Sequence, residues 1–273
     1  DKNIRDGSKN PDNDAFTKEL NAAMLTLESS TGRILAMVGG VHYNQSVFNR
    51  AFQSKRQAGS AIKPFLYQTA LNEGYNPASQ LFDIGRTYTY TVGGVQKKWQ
   101  PKNYGGNFQG IVSLRDSLVQ SRNLSTLNLV TDVGVNTTTD DLKRYGFKDI
   151  VDNLSVTLGS MSVNIIEFRQ AYTIFSNNGV QVKPYIVEQI VNKDGKSVTF
   201  EPQRKELNPP EQSYLITSIL KDVVTKGTGR RAAVEGIELA GKTGTTNDNI
   251  DAWFCGYSPS IQTIVWFGND NNT

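Results

Sequence analysis

Apolar alternation and turn residues are concentrated at the two ends of this chain, and that distribution limits its fold more than any other feature. Near the start, Ala22-Ala23-Met24-Leu25-Thr26-Leu27-Glu28 and Gly32-Arg33-Ile34-Leu35-Ala36-Met37-Val38-Gly39-Gly40 flank Ser29-Ser30-Thr31-Gly32. This reads as a β-hairpin with a glycine-containing turn. Near the end, residues 237–244, 252–257 and 262–268 alternate in the same way, separated by Thr246-Asn247-Asp248-Asn249 and Ser258-Pro259-Ser260. That is a three-strand meander. Joined to the hairpin it makes one antiparallel sheet of five strands and leaves the middle of the chain as a mainly helical insertion, an α+β arrangement. A length of 273 residues suits one large domain or two sub-domains sharing a cleft. The expected division is a linker or domain-edge remnant over 1–20, a sheet sub-domain over about 21–58 and 236–273, and a helical sub-domain with cleft loops over about 59–235.

The insertion opens on Gln57-Ala58-Gly59-Ser60-Ala61-Ile62-Lys63-Pro64-Phe65. Ile62, Phe65, Leu66, Thr69 and Ala70 form an apolar stripe at helical spacing, closed by Gly74 and Pro77. Pro64 lacks an N–H and is tolerated only near a helix start, which puts Ser60 in the first turn. Ser60 and Lys63 are three residues apart and share a face, so the hydroxyl and the amine come within hydrogen-bonding reach. Beside free N–H groups, and with a lysine whose pKa burial lowers, the serine has the parts of an activated nucleophile. The same four letters also describe an ordinary solvated helix start. Residues 75–110 read as loops with a small hairpin over Tyr88–Val95. Helical patterns follow over Ile111–Gln120 and Leu124–Val133, the second stopping at Gly134, and Ser121-Arg122-Asn123 forms the tight link between them. Ser121 either points into a cleft or simply caps a helix. Farther on, Thr139–Tyr145, Ile165–Asn177 and Pro210–Val224 are helical in pattern, and Tyr185–Val191 is strand-like with a turn at Asp194-Gly195.

Composition removes several functions. With 29 Lys plus Arg against 26 Asp plus Glu there is no electrostatic footprint for nucleic acid, and Arg230-Arg231 reads as a solvated loop. A single histidine, His42, lies in a polar, turn-like stretch, which removes a Cys/His zinc site and leaves lysine, carboxylate or tyrosine as the proton carrier. The single cysteine, Cys255, excludes an intrachain disulfide and reads as a small buried hydrophobe on the middle strand of the meander. No apolar run is long enough to span a bilayer, no signal-peptide pattern opens the chain, and both ends read as cut from a longer protein.

Residues 236–243, Gly-Ile-Glu-Leu-Ala-Gly-Lys-Thr, satisfy the phosphate-cradling G-x-x-x-x-G-K-[ST] pattern. The context opposes that reading, because no hydrophobic strand precedes and Gly244-Thr245-Thr246-Asn247-Asp248 is poor helix sequence. On an edge strand, Lys242-Thr243-Gly244-Thr245 instead supplies a fixed cation, two hydroxyls, a glycine that lets another backbone approach, and free N–H groups. That is a receptor for a carboxylate and an oxyanion.

Ser60-Ala61-Ile62-Lys63, Ser121-Arg122-Asn123 and Lys242-Thr243-Gly244 occur in the order S-x-x-K, S-x-N, K-T-G. With Arg56–Phe65, Trp99-Gln100-Pro101-Lys102-Asn103-Tyr104, Leu158-Gly159-Ser160 and Lys242–Phe254, the chain resembles the transpeptidase domain of class A, bifunctional penicillin-binding proteins over about residues 20 to 270. Ala58 stands where proline is common and Ile62 where phenylalanine is common. The resemblance implies the penicillin-recognising, β-lactamase-like fold, with the site where a five-stranded sheet meets a helical sub-domain; members usually continue past the last strand into a helix that covers the sheet, and this sequence departs from the pattern in lacking it. It implies Ser60 as nucleophile on a D-alanyl-D-alanine stem peptide and Lys63 as general base. Ser121 would pass the proton to the leaving nitrogen and Asn123 would hold Lys63 and the substrate amide. Lys242, Thr243 and Thr245 would hold the terminal carboxylate or interact with Ser121, Gly244 would belong with them to the substrate-binding segment, and the N–H groups of Ser60 and Thr245 would form the oxyanion hole. It implies no cofactor and no metal. Its partners would be donor and acceptor stem peptides of peptidoglycan and β-lactam antibiotics. The parent would be anchored in a bacterial cytoplasmic membrane, carry a glycosyltransferase domain and work on the extracytoplasmic, periplasmic side, while this segment itself is soluble.

Three other readings use similar parts. A class A β-lactamase is disfavoured because no E-x-x-L-N stretch lies between Asn123 and Lys242. A D,D-carboxypeptidase differs mainly in accepting water. A sensor or scaffold domain would bind or be acylated by β-lactam without turnover.

Overall fold

A computed structural model describes residues 20–44, 46–246 and 249–270. Apart from Leu20, the expected linker lies outside the described residues, as do Asn247 and Asp248 of the first turn of the meander. The hairpin forms as β1 (Leu20–Glu28) and β2 (Ile34–Val38), with Ala23, Leu25 and Leu27 alternating inward on β1. A short α1 (Arg50–Gln53) and a two-residue β3 (Arg56–Gln57) lead to a 3₁₀ turn over Gly59–Ile62 and then to α2 (Lys63–Asn72). The α-helix proper therefore begins at Lys63, and Ser60 sits in the tighter turn ahead of it. Pro64 is accommodated because the first-turn N–H groups have no helical partner.

Helix α2 is buried from Lys63 to Leu71, so the sequence stripe underestimates how central it is. The Phe65 ring lies 5.0–5.6 Å from those of Tyr145, Phe147, Tyr172 and Phe175. Removing a buried aromatic of this kind typically costs about 3–5 kcal/mol. The helix that carries Lys63 is thus a rigid axle of the core.

The next stretch holds β4 (Gln80–Asp83), the hairpin β5 (Tyr88–Val92) and β6 (Val95–Trp99), and β7 (Gly110–Ser113). The expected helix over Ile111–Gln120 is shorter than its pattern. Its first residues pair with β4, Asp83 opposite Gly110 and Gln80 opposite Ser113, because β-branched Ile111 and Val112 suit a ladder. Helix α3 (Leu114–Val119) starts where the Ser113 side chain accepts from Asp116 N. Helices α4 (Asn123–Val133) and α5 (Val135–Arg144) follow, separated by Gly134. A second 3₁₀ turn (Leu154–Leu158) ends on left-handed Gly159, and β8 (Ser162–Val163) pairs with β3. A capping box of Asn164 and Glu167 opens α6 (Ile165–Ser176).

Strand β9 (Val180–Val182) pairs with β12 (Arg204–Glu206), and β10 (Gln189–Val191) with β11 (Ser197–Thr199). The strand expected over Tyr185–Val191 is thereby reduced to its last three residues. Tyr185 joins only an isolated bridge with Arg33. Helix α7 (Pro210–Thr225) precedes the meander β13 (Ala240–Thr245), β14 (Asp251–Tyr257) and β15 (Ile261–Asn269). Ile237 to Leu239 fall outside β13, since Ile237 bridges back to Val234. Cys255 is buried on β14, Arg230 and Arg231 are exposed on a short 3₁₀ turn, and His42 lies in a loop.

Hairpin and meander combine as expected into one five-stranded sheet of order β13-β14-β15-β1-β2, antiparallel throughout. Helix α6 packs on β15, β1 and β14, and α7 packs on β13. The insertion folds back so that the Gly59–Ile62 turn lies on β13. Among the described residues no helix is long and apolar enough to cross a membrane.

Candidate active site

The turn that carries Ser60 is tethered from every side. Gln57 and Arg56 pair with Ser162 and Val163, and the N–H groups of Ala58 and Gly59 donate to the carbonyls of Met161 and Gly159. Trp253 Nε1 donates to Gln57 O at 2.9 Å and the Tyr172 hydroxyl to Ala61 O at 2.6 Å. Arg56 Nε meets Asp251 Oδ1 at 2.6 Å, both groups buried, and the guanidinium lies 5.1 Å from the Trp266 ring. Breaking such a buried pair by removing one partner typically costs about 3–5 kcal/mol. Gly59 is left-handed at φ +51°, and a Cβ there would lie 2.7 Å from Thr245 O. A Cβ on Gly244 would lie 2.8 Å from Ala61 Cβ. The residues on either side of Ser60 therefore touch β13 directly, and glycine is required on both surfaces.

Lys63 Nζ, fully buried, donates to Ser121 O at 2.7 Å, Arg122 O at 3.0 Å and Asn123 Oδ1 at 2.7 Å, and lies 3.5 Å from Ser121 Oγ. Burial, and then the charge of Lys242, hold its pKa well below the ordinary lysine value, with Asp83 opposing. Lys242 Nζ, also buried, donates to Ser121 Oγ at 2.8 Å and to Thr243 O at 2.9 Å, and burial pushes its pKa down to about 7. The two amines thus stand on opposite sides of Ser121, and burial makes the proton of each easier to lose.

Ser121 does not cap α4. It takes a left-handed φ of +56°, uncommon for a residue with a side chain, and its hydroxyl stands between the two lysines. The α4 N-terminus is instead capped from a distance, by Asn103 Oδ1 accepting from Asn123 N at 2.8 Å and Leu124 N at 3.1 Å. Asn123 is thereby fixed with its Oδ1 on Lys63 and its Nδ2 donating to Lys102 O at 2.9 Å.

Strand β13 is an edge of the sheet, as its sequence predicts. Thr245 O lies beside Gly59, and N–H and C=O of one strand residue point the same way, so the Thr245 N–H also faces the Ser60 turn. Thr243 Oγ1 lies 2.7 Å from Thr228 Oγ1, a residue the sequence analysis does not single out. A Cβ on the adjacent Gly227 would lie 2.5 Å from Val119 O, and the glycine pair around Thr228, just after α7, was the available signal. The phosphate-loop reading fails, since Lys242 and Thr243 lie within strand β13 rather than at the start of a helix, and Thr246 N donates to Asp251 O at the head of β14.

One expected contact is not made. Among the described residues no hydrogen bond reaches the Ser60 hydroxyl, which is part-exposed, and Lys63 directs its donors to residues 121–123.

The penicillin binding protein transpeptidase domain profile matches residues 22–270 of this sequence. The chain belongs to that family. It is 35% identical over 260 residues to penicillin-binding protein 1A of Neisseria cinerea, covering 92% of this chain and 32% of that protein. It is 33% identical over 303 residues to the Pseudomonas aeruginosa protein of the same name, covering 91% and 37%. The crystal structure of penicillin-binding protein 1A from Haemophilus influenzae superposes with a TM-score of 0.85 at 32% identity, over 93% of this chain and 44% of that one. PonA1 of Mycobacterium tuberculosis shares the fold, with a TM-score of 0.77 at 23% identity, over 93% and 69%. These 1A relatives are class A penicillin-binding proteins, and the chain spans about a third of their length. The transpeptidase family is therefore established.

Proposed function

We propose that this domain is a serine D,D-transpeptidase that joins peptidoglycan stem peptides through an acyl-enzyme on Ser60. The observation that carries the reading is the Lys63–Ser121–Lys242 relay, two buried amines on either side of one hydroxyl, each with its pKa depressed by burial. Ser60 Oγ attacks the carbonyl of the penultimate D-alanine, and its proton passes to the neutral Lys63 amine. Catalytic hydrogen bonds are often long in a free enzyme and tighten when substrate arrives, which accommodates the open Ser60 hydroxyl. The Ser60 and Thr245 N–H groups stabilise the oxyanion, and losing one such donor typically costs roughly a hundredfold or more in rate.

Collapse of the tetrahedral intermediate breaks the C–N bond, and the leaving D-alanine nitrogen takes its proton through Ser121. Lys242, Thr243 and Thr245 hold the terminal carboxylate, with Asn123 on the substrate amide. An amine of a neighbouring stem peptide then attacks the ester and frees Ser60. A β-lactam follows the same first half, but its leaving nitrogen stays tethered and the ester persists. No step calls for a metal or cofactor. By analogy with the longer 1A relatives, the parent acts at the extracytoplasmic face of a bacterial membrane and carries a glycosyltransferase domain. The test is release of D-alanine from a D-alanyl-D-alanine stem peptide, dependent on Ser60 and increased by an acceptor amine. Release that depends only on water would make the domain a carboxypeptidase.

A further inference from the structure

Asp83 is a buried carboxylate that the mechanism above does not use. It ends β4, is fully buried, and receives Asn103 Nδ2 at 2.8 Å on Oδ1 and Gln109 N at 2.9 Å on Oδ2. Arg122 Nη1 lies 3.5 Å from Oδ2. Asn103, itself buried, also donates to Asn107 O at 2.9 Å, while its own oxygen takes the N–H groups of Asn123 and Leu124. Helix α4 has no cap from its own N-cap residue, Arg122, so this remote amide supplies what the helix start lacks. A second tie runs between the same elements, Asn128 Nδ2 donating to Phe82 O at 2.6 Å.

We propose that Asp83 and Asn103 are positioning residues for the transfer site, the carboxylate clamping the amide and the amide fixing the first turn of α4 so that Asn123 and Ser121 meet Lys63. The inference rests on the acyl-enzyme reading and deepens it. Two charged groups bear on the Lys63 amine, Asp83 from β4 and Lys242 from β13, while the Arg122 guanidinium from the α3–α4 link faces Asp83. Among them Asp83 is the anion, and its charge favours the protonated form of Lys63. Asp83 thus sets both where Asn123 sits and how readily Lys63 gives up its proton.

The experiment measures the second-order rate of acylation by a fluorescent penicillin against pH, for the wild-type chain, Asn103→Ala and Asp83→Asn, with thermal unfolding alongside. Asn103→Ala is expected to acylate on the order of a hundredfold more slowly while still unfolding cooperatively, since misplacing a catalytic group by about 1 Å costs that much. Asp83→Asn is expected to move the acidic limb of the profile to lower pH, because the amine loses the anion that favours its proton. A purely structural role lowers the melting temperature and leaves the limb in place. Acylation of Asn103→Ala within twofold of wild type, or an Asp83→Asn profile that overlays the wild-type one, overturns the proposal. If Asn103→Ala does not fold, the Asp83→Asn profile decides. Failure of the wild-type chain to be acylated at all strikes the functional reading and not this one.

Discussion

Lys242 Nζ lies 2.8 Å from Ser121 Oγ, a contact between residues 121 positions apart that locks the edge of the sheet to the helical insertion. Neither residue reaches the other through local structure. Lys242 is held by the β13–β14 ladder and Ser121 by a left-handed turn between α3 and α4, so the fold as a whole is what brings the site together. The cost is a second buried amine near Lys63 and a strained serine, both of which predict measurable behaviour.

The close approach of Gly244 to Ala61 makes the first prediction. Gly244→Ala puts a methyl group 2.8 Å from Ala61 Cβ and 3.0 Å from Ala61 N, with Trp253 Cβ at 3.0 Å behind it. The Ser60 turn then has to lift off β13. Stability is expected to fall by about 1–3 kcal/mol, and penicillin acylation to fall by on the order of a hundredfold. Chemical unfolding and acylation kinetics check the two parts, and wild-type acylation in this variant contradicts the packing argument.

Ser121 separates backbone strain from chemistry. Ser121→Ala and Ser121→Gly both delete the hydroxyl between the lysines, so both are expected to lose acylation by similar factors. Only the glycine variant relieves the φ of +56°, and it is expected to be more stable than the alanine variant by about 1 kcal/mol. Denaturant titration of the two variants reads this directly. Equal stabilities would mean that the turn is not strained.

Lys242 predicts how stability depends on pH. Burial lowers its pKa to about 7 in the folded chain, against 10.5 for the ordinary group. Between these values the unfolded chain holds a proton that the folded chain has released, so unfolding free energy rises with pH across that window. The destabilising contribution is complete below the folded pKa and gone above the unfolded one. Relative to Lys242→Met, the wild-type chain is expected to gain stability steadily between about pH 7 and pH 10. A difference that stays flat across this range contradicts a depressed lysine.

The sheet was legible because its strands alternate cleanly and its turns carry glycine, proline and asparagine, as at Gly32 and Pro259. Ile111 to Ser113 misled, since Leu114 and Leu118 set a helical spacing that extends backward by pattern alone, whereas pairing with β4 decides those residues. The strand over Tyr185–Val191 was overread for the complementary reason, because β-rich sequence there finds a partner only from Gln189 onward. In the site, Ser60, Lys63, Ser121, Asn123, Lys242 and Thr243–Thr245 stand out as ordered motifs, and the structure gathers them where the Ser60 turn and the α3–α4 link meet β13. Asp83, Asn103 and Thr228 were not assigned roles. Their contacts join residues 15 to 20 apart or more across loops, and no local spacing encodes them. The Ser60–Lys63 hydrogen bond was expected from helical spacing, but Ser60 lies in a 3₁₀ turn and Lys63 has better acceptors in residues 121–123.

Intact-protein mass after mixing with a penicillin, followed over hours with Ser60→Ala as the control, tests the central claim most directly. The account predicts one adduct of the whole drug per chain, persistent in the wild-type protein and absent from the control. Drug consumed without a lasting adduct, or an adduct that survives in Ser60→Ala, contradicts it.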